Sequence, residues 1–297
     1  MTSYAHLAPS ALADMHLPAS LRARTLLGET FVVHKRLASL LTRVDELVDP
    51  PSGEPVGCMV VSGKVGSGKT VLARQLQARY GHAQTTEAAV SASRAVTVNM
   101  AGIRHPGALF YRLLSLLPPA EDADAMPADL ETDVGKRLTA QGARLLVIDE
   151  AQCLFELRKA QRLSLLRSLV TIMDRYRLPV VLLTVPSGVP AIEACTALNE
   201  RLTYETLPTW SANAYLAELL VNLERTLPLH EASHLGRPAM MDVLVRGSGG
   251  ALDAIVDIVR MAAAAAIARG WERITLALLK EALQDRRDGR WPASWVA

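Results

Sequence analysis

The stretch VVSGKVGSGKTVLARQL, Val60 to Leu76, sets Gly63, Gly66 and Gly68 between an apolar run and an amphipathic one. Gly63-x-x-x-x-Gly68-Lys69-Thr70 has the full Walker A spacing. Residues without a Cβ let backbone N–H groups turn inward and approach phosphate oxygens. A helix starting near Gly68 adds the positive end of its dipole. Lys69 has the reach and charge for β- and γ-phosphates, and the Thr70 hydroxyl can ligate Mg²⁺. The expected ATP contacts are therefore Gly63, Lys64, Val65, Gly66, Ser67, Gly68, Lys69, Thr70 and Val71. A second group of reactive residues closes the run LLVIDE, where Asp149 and Glu150 follow four apolar residues. Asp149 suits the Mg²⁺ shell together with Thr70, directly or through water. Glu150 suits a base that polarises attacking water, the role some residue must fill if ATP is hydrolysed.

Elements must hold these groups at one edge of a sheet. VGCMVVS, RAVTVNM, RLLVIDE, LPVVLLTVPS and LTYETL read as five strands. Helical patterns separate them: Gly68 to Tyr80, PGALFYRLLSLL opened by Pro106, one near Asp133, and the basic amphipathic ELRKAQRLSLLRSLVTIMDRYR. Strands alternating with helices predict a parallel sheet covered on both faces, with ligands at the carboxyl ends of its strands. Before the first strand, Leu37, Leu40, Leu41, Val44 and Leu47 recur at helical spacing, and DPPSGEP then breaks the chain. Beyond Pro208 the strand signals stop. Helical segments follow at about Ala212–Arg225, His234–Arg246, Ala251–Arg269 and Thr275–Gln284.

Composition narrows the class. The chain of 297 residues is 50% apolar and carries a net charge of +2, so it is globular and without a general basic field. Nucleic-acid binding would need a local patch. Cys58, Cys153 and Cys195 are scattered, which excludes a disulfide framework or a C-x-x-C zinc site, and Cys58 reads as a small core residue. ALDAIVDIVRMAAAAAIARG contains Asp253, Asp257 and Arg260, and so reads as a packed helix, not a bilayer span. No basic start with an apolar block opens the sequence, and a cytoplasmic location without membrane attachment is expected.

The glycine loop, the Asp149-Glu150 pair and the strand VTVNM between them resemble the AAA+ branch of ATPases. That resemblance implies an αβα sandwich around a five-stranded parallel sheet, over residues 51–208, and a helical lid over 209–285. Residues 1–50 are then an N-terminal extension and 286–297 a C-terminal tail. It also implies a polar sensor at the end of the strand after the carboxylate pair, for which Thr184 is the first candidate and Ser187 the second. A β-branched strand residue is the alternative reading of Thr184. The family's arginine finger, given by a neighbouring subunit, corresponds to Arg201, with Arg175 and Arg177 as alternatives. The family's lid arginine has no counterpart in GSGGALDAIV, where Ala251 stands in its place. Slow or partner-stimulated hydrolysis would follow.

A narrower likeness appears in YAHLAPSALADMHLPASLRARTLLGETFVVHKRLASLLTRVDELVDPP, in VTVNMAGIRHPGALFYRLLSLL, in RLLVIDEAQCL and in LPVVLLTVPSGVPAI. These resemble TniB, the ATPase of certain DNA transposons, and through it TnsC, IstB and MuB. The resemblance implies a homo-oligomer, ring or helical filament, that assembles on double-stranded DNA with ATP and Mg²⁺. It would mark a target for a transposase, with a target-selection protein as a further candidate partner. Arg104 and His105, in AGIRHPG, correspond to loop residues that meet the DNA backbone in TnsC-like proteins; a solvated loop is the plain alternative. Lys136, Arg137, Arg158, Lys159 and Arg162 read as solvated helix faces. The acidic stretch from Pro118 to Val134 must face away from any DNA, and the tail with Trp291 and Trp295 is a candidate interface anchor. An AAA+ loader or secretion ATPase, or a nucleotide-switched scaffold without DNA, would share the same core motifs.

Overall fold

The computed structural model describes residues 4–26, 34–50, 55–81, 95–119 and 129–290. In chain order, α1 (Pro9–Asp14), α2 (Ala19–Thr25) and α3 (Lys35–Val48) precede β1 (Cys58–Ser62) and α4 (Lys69–Tyr80). Next come β2 (Ala95–Asn99), α5 (Pro106–Leu116), α6 (Leu130–Ala140) and β3 (Leu145–Asp149). A 3₁₀ turn at Ala151–Glu156 leads to α7 (Lys159–Tyr176) and β4 (Val180–Thr184). After α8 (Val189–Glu193), α9 (Thr196–Asn199) and β5 (Leu202–Thr206), only helices follow: α10 (Ala214–Glu224), α11 (Pro238–Ser248), α12 (Leu252–Ala268) and α13 (Leu276–Arg287). The chain divides into two compact units, Ala38–Leu207, and Met1–Leu37 with Pro208–Ala297.

In the first unit, all five strands run parallel in the order β2-β3-β4-β1-β5. The expected five-stranded parallel sheet is present. Every residue of β3 and β4 is buried, as an apolar run must be when helices cover both faces of a sheet. β5 is an edge strand, and its Thr203 and Tyr204 are exposed. The strands β1 and β2, consecutive in sequence, are separated in space by β4 and β3. Because all are parallel, Ser62, Asn99, Asp149, Thr184 and Thr206 end on one edge: Ser62 is level with Thr184 and Thr206, Asn99 with Asp149, and β3 is offset from β4 by one residue. That edge carries the residues capable of chemistry.

Two element boundaries differ from the sequence reading. The helix read from Glu156 starts at Lys159: a 3₁₀ turn covers Ala151–Glu156 and Leu157 is extended. The Gln161 side chain accepts from the Arg158 backbone N–H at 3.2 Å and so caps that new start. Likewise α11 begins at Pro238 rather than at His234, which sits in a left-handed turn with φ 57°. Residues 51–54 of the proline-glycine connector, residues 120–128 of the acidic stretch, and Trp291 and Trp295 lie outside the described residues. Cys58 and Cys195 are buried, Cys153 is half-buried, and all three are free thiols. Burial pushes the Cys58 thiol far above its ordinary value, as expected of a core cysteine.

In the second unit α12 is the central helix. Every residue from Met261 to Ile267 is buried, so its alanine run lets neighbouring helices approach closely. Among the described residues, no helix is long and apolar enough to cross a membrane. Two buried charges are fully engaged here. The Glu224 carboxylate accepts backbone N–H groups from Ser233, His234 and Leu235 at 2.5 to 2.9 Å, which fixes the turn before α11. Arg22 of α2 forks onto Glu272 at 2.6 and 2.9 Å and also donates to the Pro228 carbonyl at 3.0 Å.

The Arg22–Glu272 pair makes a pH-dependent contribution. Burial alone would raise the Glu272 pKa, but the hydrogen bond and charge of Arg22 outweigh it and hold the value below its ordinary 4.5. A carboxylate with a lowered folded pKa contributes its stability in full above the ordinary value and loses it as pH falls through the folded value. Glu272→Ala is expected to cost about 3 kcal/mol at pH 7, because it strands a buried guanidinium. Urea unfolding checks this: the deficit relative to the parent chain should shrink as pH falls below 4.5.

Candidate nucleotide site

β1 ends at Ser62, and the chain then leaves the sheet through Gly63, whose backbone N–H donates to the Thr184 carbonyl at 3.0 Å. This bond ties the start of the loop to the neighbouring strand β4. A Cβ on Gly63 would stand 2.3 Å from Ser67 Oγ and 3.0 Å from Leu207 Cβ, so a larger residue would have to displace the Ser67 hydroxyl and crowd Leu207. Gly68 has φ 95°, a conformation that favours glycine, and it turns the loop into the first residue of α4. Lys69 is buried. Its Nζ donates to the Gly63 and Lys64 carbonyls at 2.8 and 2.9 Å, which folds the side chain back across the loop. Ser67 Oγ is buried with no hydrogen-bond partner among the described residues. Val65, at 82% exposed, marks the tip. The loop is thus a glycine cradle with an ammonium at its floor, and it fits a polyphosphate.

Asp149 is 2% exposed and reaches the same place from β3. Its Oδ2 accepts from the Thr70 hydroxyl at 2.9 Å, and its Oδ1 from the Glu150 backbone N–H at 2.9 Å. Two hard oxygen donors within hydrogen-bond distance of each other beside a phosphate cradle fit Mg²⁺, which prefers a carboxylate or two with substrate phosphates. Residues 79 positions apart are brought together by the crossover from β1 to β3.

Glu150 adopts the left-handed conformation, φ 57° and ψ 36°, as the strand gives way to the 3₁₀ turn. A non-glycine residue there costs of the order of 1–2 kcal/mol, which the surrounding structure must hold in place. The turn swings the Glu150 side chain out of the strand's alternation. Its Oε2 then accepts from the Gln152 amide at 2.5 Å. Sequence reading did not single out Gln152, because an amide two residues past a carboxylate carries no signal until the 3₁₀ turn is known. Thr184, the sensor candidate, is fully buried at the end of β4, level with Ser62, and its hydroxyl lies 3.3 Å from the Val185 carbonyl. Ser187 is exposed.

Arg201 lies apart from this edge. Arg201 precedes β5, and its carbonyl accepts from the N–H of Cys58, the first residue of β1. It therefore marks the amino-terminal edge of the sheet, about 16 Å from the loop at the strand rise of about 3.3 Å per residue. Its guanidinium forks onto Asp174. Arg175 donates to Thr132 Oγ1 at 3.3 Å and lies over the Tyr176 ring, while Arg177 closes α7 in a left-handed conformation. Arg104 and His105 are exposed on the loop between β2 and α5, anchored by the buried Ile103. Lys136, Arg158 and Lys159 are exposed, Arg137 is paired with Asp133, and Arg162 lies over the Phe155 ring. Ala251 is the N-cap of α12, after Gly249 and Gly250.

The family model described as "Bacterial TniB protein" matches residues 22–212. No curated protein matches the chain. Among solved structures, the fold is similar to the Aeropyrum pernix ORC2 protein in ADPNP–ADP complexes, with a TM-score of 0.62 at 18% identity over 88% of this chain and 71% of that one. It is similar to the Aeropyrum pernix ORC1 protein in complex with DNA, with a TM-score of 0.59 at 18% identity over 89% and 69% of the two chains. The Thermotoga maritima RuvB Holliday junction branch migration motor gives 0.51 at 14% identity over 86% and 70%. At such identities the likeness establishes the fold, that of the AAA+ ATPases. The family match runs from α2 past β5 and takes in every element that bears the site. The chain therefore belongs to the bacterial TniB protein family, transposition-associated ATPases of the AAA+ class.

Proposed function

We propose that this protein hydrolyses ATP slowly, oligomerises on double-stranded DNA according to the nucleotide it holds, and directs target choice by recruiting or activating a transposase. The observation that carries the reading is the Thr70–Asp149 contact with Glu150 beside it, at the strand edge where the glycine loop opens, in a chain of the TniB family. In hydrolysis, Lys69 exchanges its loop carbonyls for β- and γ-phosphate oxygens. Glu150 takes a proton from the attacking water as the bond from the γ-phosphorus to the bridging oxygen breaks and ADP leaves. Thr70 and Asp149 would hold Mg²⁺, which would supply charge neutralisation at the phosphates. Thr184 serves as the sensor through the strand end that touches Gly63.

Arg201 stands on the opposite sheet edge from its own loop, so it can serve only a neighbour's phosphates. The nucleotide then lies at a seam between protomers, and its state governs their stacking. The helices of residues 209–285 act as the lid, and Ala251 in place of a lid arginine leaves hydrolysis dependent on DNA or a partner. Mixing variants tests the seam. Arg201→Ala and Glu150→Gln subunits should each be nearly inactive alone, yet a mixture should recover part of the ATPase rate. Interfaces pairing an intact Glu150 with a neighbour's Arg201 would supply it, and a mixture no faster than either variant would refute the assignment.

On DNA, Arg104 and His105 meet backbone phosphates on the exposed loop after β2, and repetition around an oligomer multiplies these contacts. The reading places this work in the cytoplasm. Fluorescence anisotropy with a DNA duplex and a slowly hydrolysed ATP analogue tests it. Arg104→Ala should weaken binding similarly across sequences and lower the salt slope by about one per subunit contact. An unchanged slope would remove Arg104 from the DNA face.

A further inference from the structure

Beyond the expected base stands a side chain with no assigned role. We propose that Gln152 is a positioning residue for Glu150, holding its carboxylate toward the phosphate cradle through the amide N–H. The proposal rests on the reading of Glu150 as the base.

Three observations support it. Glu150 leaves β3 in a left-handed conformation, so neither strand nor helix fixes the direction of its side chain. Its carboxylate accepts from Gln152 Nε2 at 2.5 Å. A donor to one carboxylate oxygen locks the terminal torsion and leaves the other oxygen free for a proton. The other end of the amide, Gln152 Oε1, is buried with no hydrogen-bond partner among the described residues. Leaving an acceptor unpaired in a buried place is costly, so this residue is poorly explained by stability alone.

The third observation is the packing behind the amide. A Cβ at Gly188 would stand 2.0 Å from Thr184 Oγ1, 3.0 Å from Gln152 Cβ and 3.1 Å from Gln152 Cα. Gly188 has an ordinary φ of −82°, so space and not backbone freedom requires glycine there. The turn that leaves the sensor strand therefore packs directly on the backbone that carries Gln152. A shift of the Thr184 strand end must be felt at Gln152, and through its amide at Glu150. Gln152 thus links the sensor candidate to the base.

The test compares Gln152→Glu, Gln152→Ala, Glu150→Gln and the double variant Glu150→Gln with Gln152→Glu, using the full chain with MgATP and duplex DNA. Glutamate keeps the shape of glutamine and lacks the ionised-partner donor. Both Gln152 variants should lower kcat by about 10- to 100-fold, as expected for a misplaced catalytic group, with MgATP affinity by calorimetry changed by less than about twofold. The double variant should be no slower than Glu150→Gln alone, because residues acting as one unit are not additive. Gln152→Glu turning over at the parent rate, or losses that multiply in the double variant, would overturn the proposal. Glu150→Gln at the parent rate would instead overturn the base assignment beneath it. A slow Glu150→Gln beside a fast Gln152→Glu would sink the role of Gln152 alone.

Discussion

Lys69→Ala is expected to abolish nucleotide binding and, with it, every nucleotide-dependent assembly. Lys69 is the ammonium at the floor of the loop, 6% exposed, and its Nζ already makes two bonds to loop carbonyls. Those bonds fold the head group across the loop, where the proposed reading has it exchange the carbonyls for phosphate oxygens. Hydrogen bonds to charged groups contribute about 1.5–3 kcal/mol each, so two lost phosphate bonds reduce affinity by about 10²- to 10⁴-fold. The fold should survive, because alanine is a good helix former at the first position of α4 and water can reach the freed carbonyls at the open loop. Calorimetric titration with MgATP, paired with circular dichroism, checks both halves. A folded Lys69→Ala protein that binds MgATP as tightly as the parent chain would contradict the site.

Glu150→Gln is expected to separate binding from turnover. The amide keeps the size of the side chain and removes the carboxylate that accepts the water's proton. Asp149 and Thr70 are untouched, so affinity for MgATP should hold within a few-fold. Turnover should fall by about 10²- to 10⁴-fold, the usual worth of a positioned general base. Assemblies formed with ATP should then persist rather than decay, because the state that follows hydrolysis is reached slowly. Steady-state phosphate release, followed alongside light scattering, gives both quantities. A parent-like rate in the variant would move the base to another residue.

The fold was legible because its signals are local. The strands β1, β3 and β4 are apolar runs bounded by turns and needed no partner to be read. The loop was legible because its chemistry demands fixed residue types at fixed spacing, which the backbone then realises at Gly63 and Gly68. The Thr70–Asp149 pairing followed from the rule that parallel strands collect ligand groups at one edge. Other features depend on tertiary placement and left no such trace. The 3₁₀ turn at Ala151–Glu156 is too short to carry a period, and the helix read from Glu156 starts three residues later, at Lys159. Gln152 acquires its neighbour only through that turn, and Gly188 acquires its constraint only from Thr184 across a strand end. Arg201 was found through its place before β5, but its distance from the loop emerges only from the parallel register of β1 and β5.

The central claim is that bound triphosphate controls how copies of this chain stack along a DNA duplex. Negative-stain microscopy, with mass photometry on the same samples, tests it most directly by comparing ATP analogue with ADP, each with and without duplex DNA. The account predicts rings or helical filaments with analogue and DNA together, and their loss with ADP or in Lys69→Ala. Identical monomers under all four conditions would contradict it.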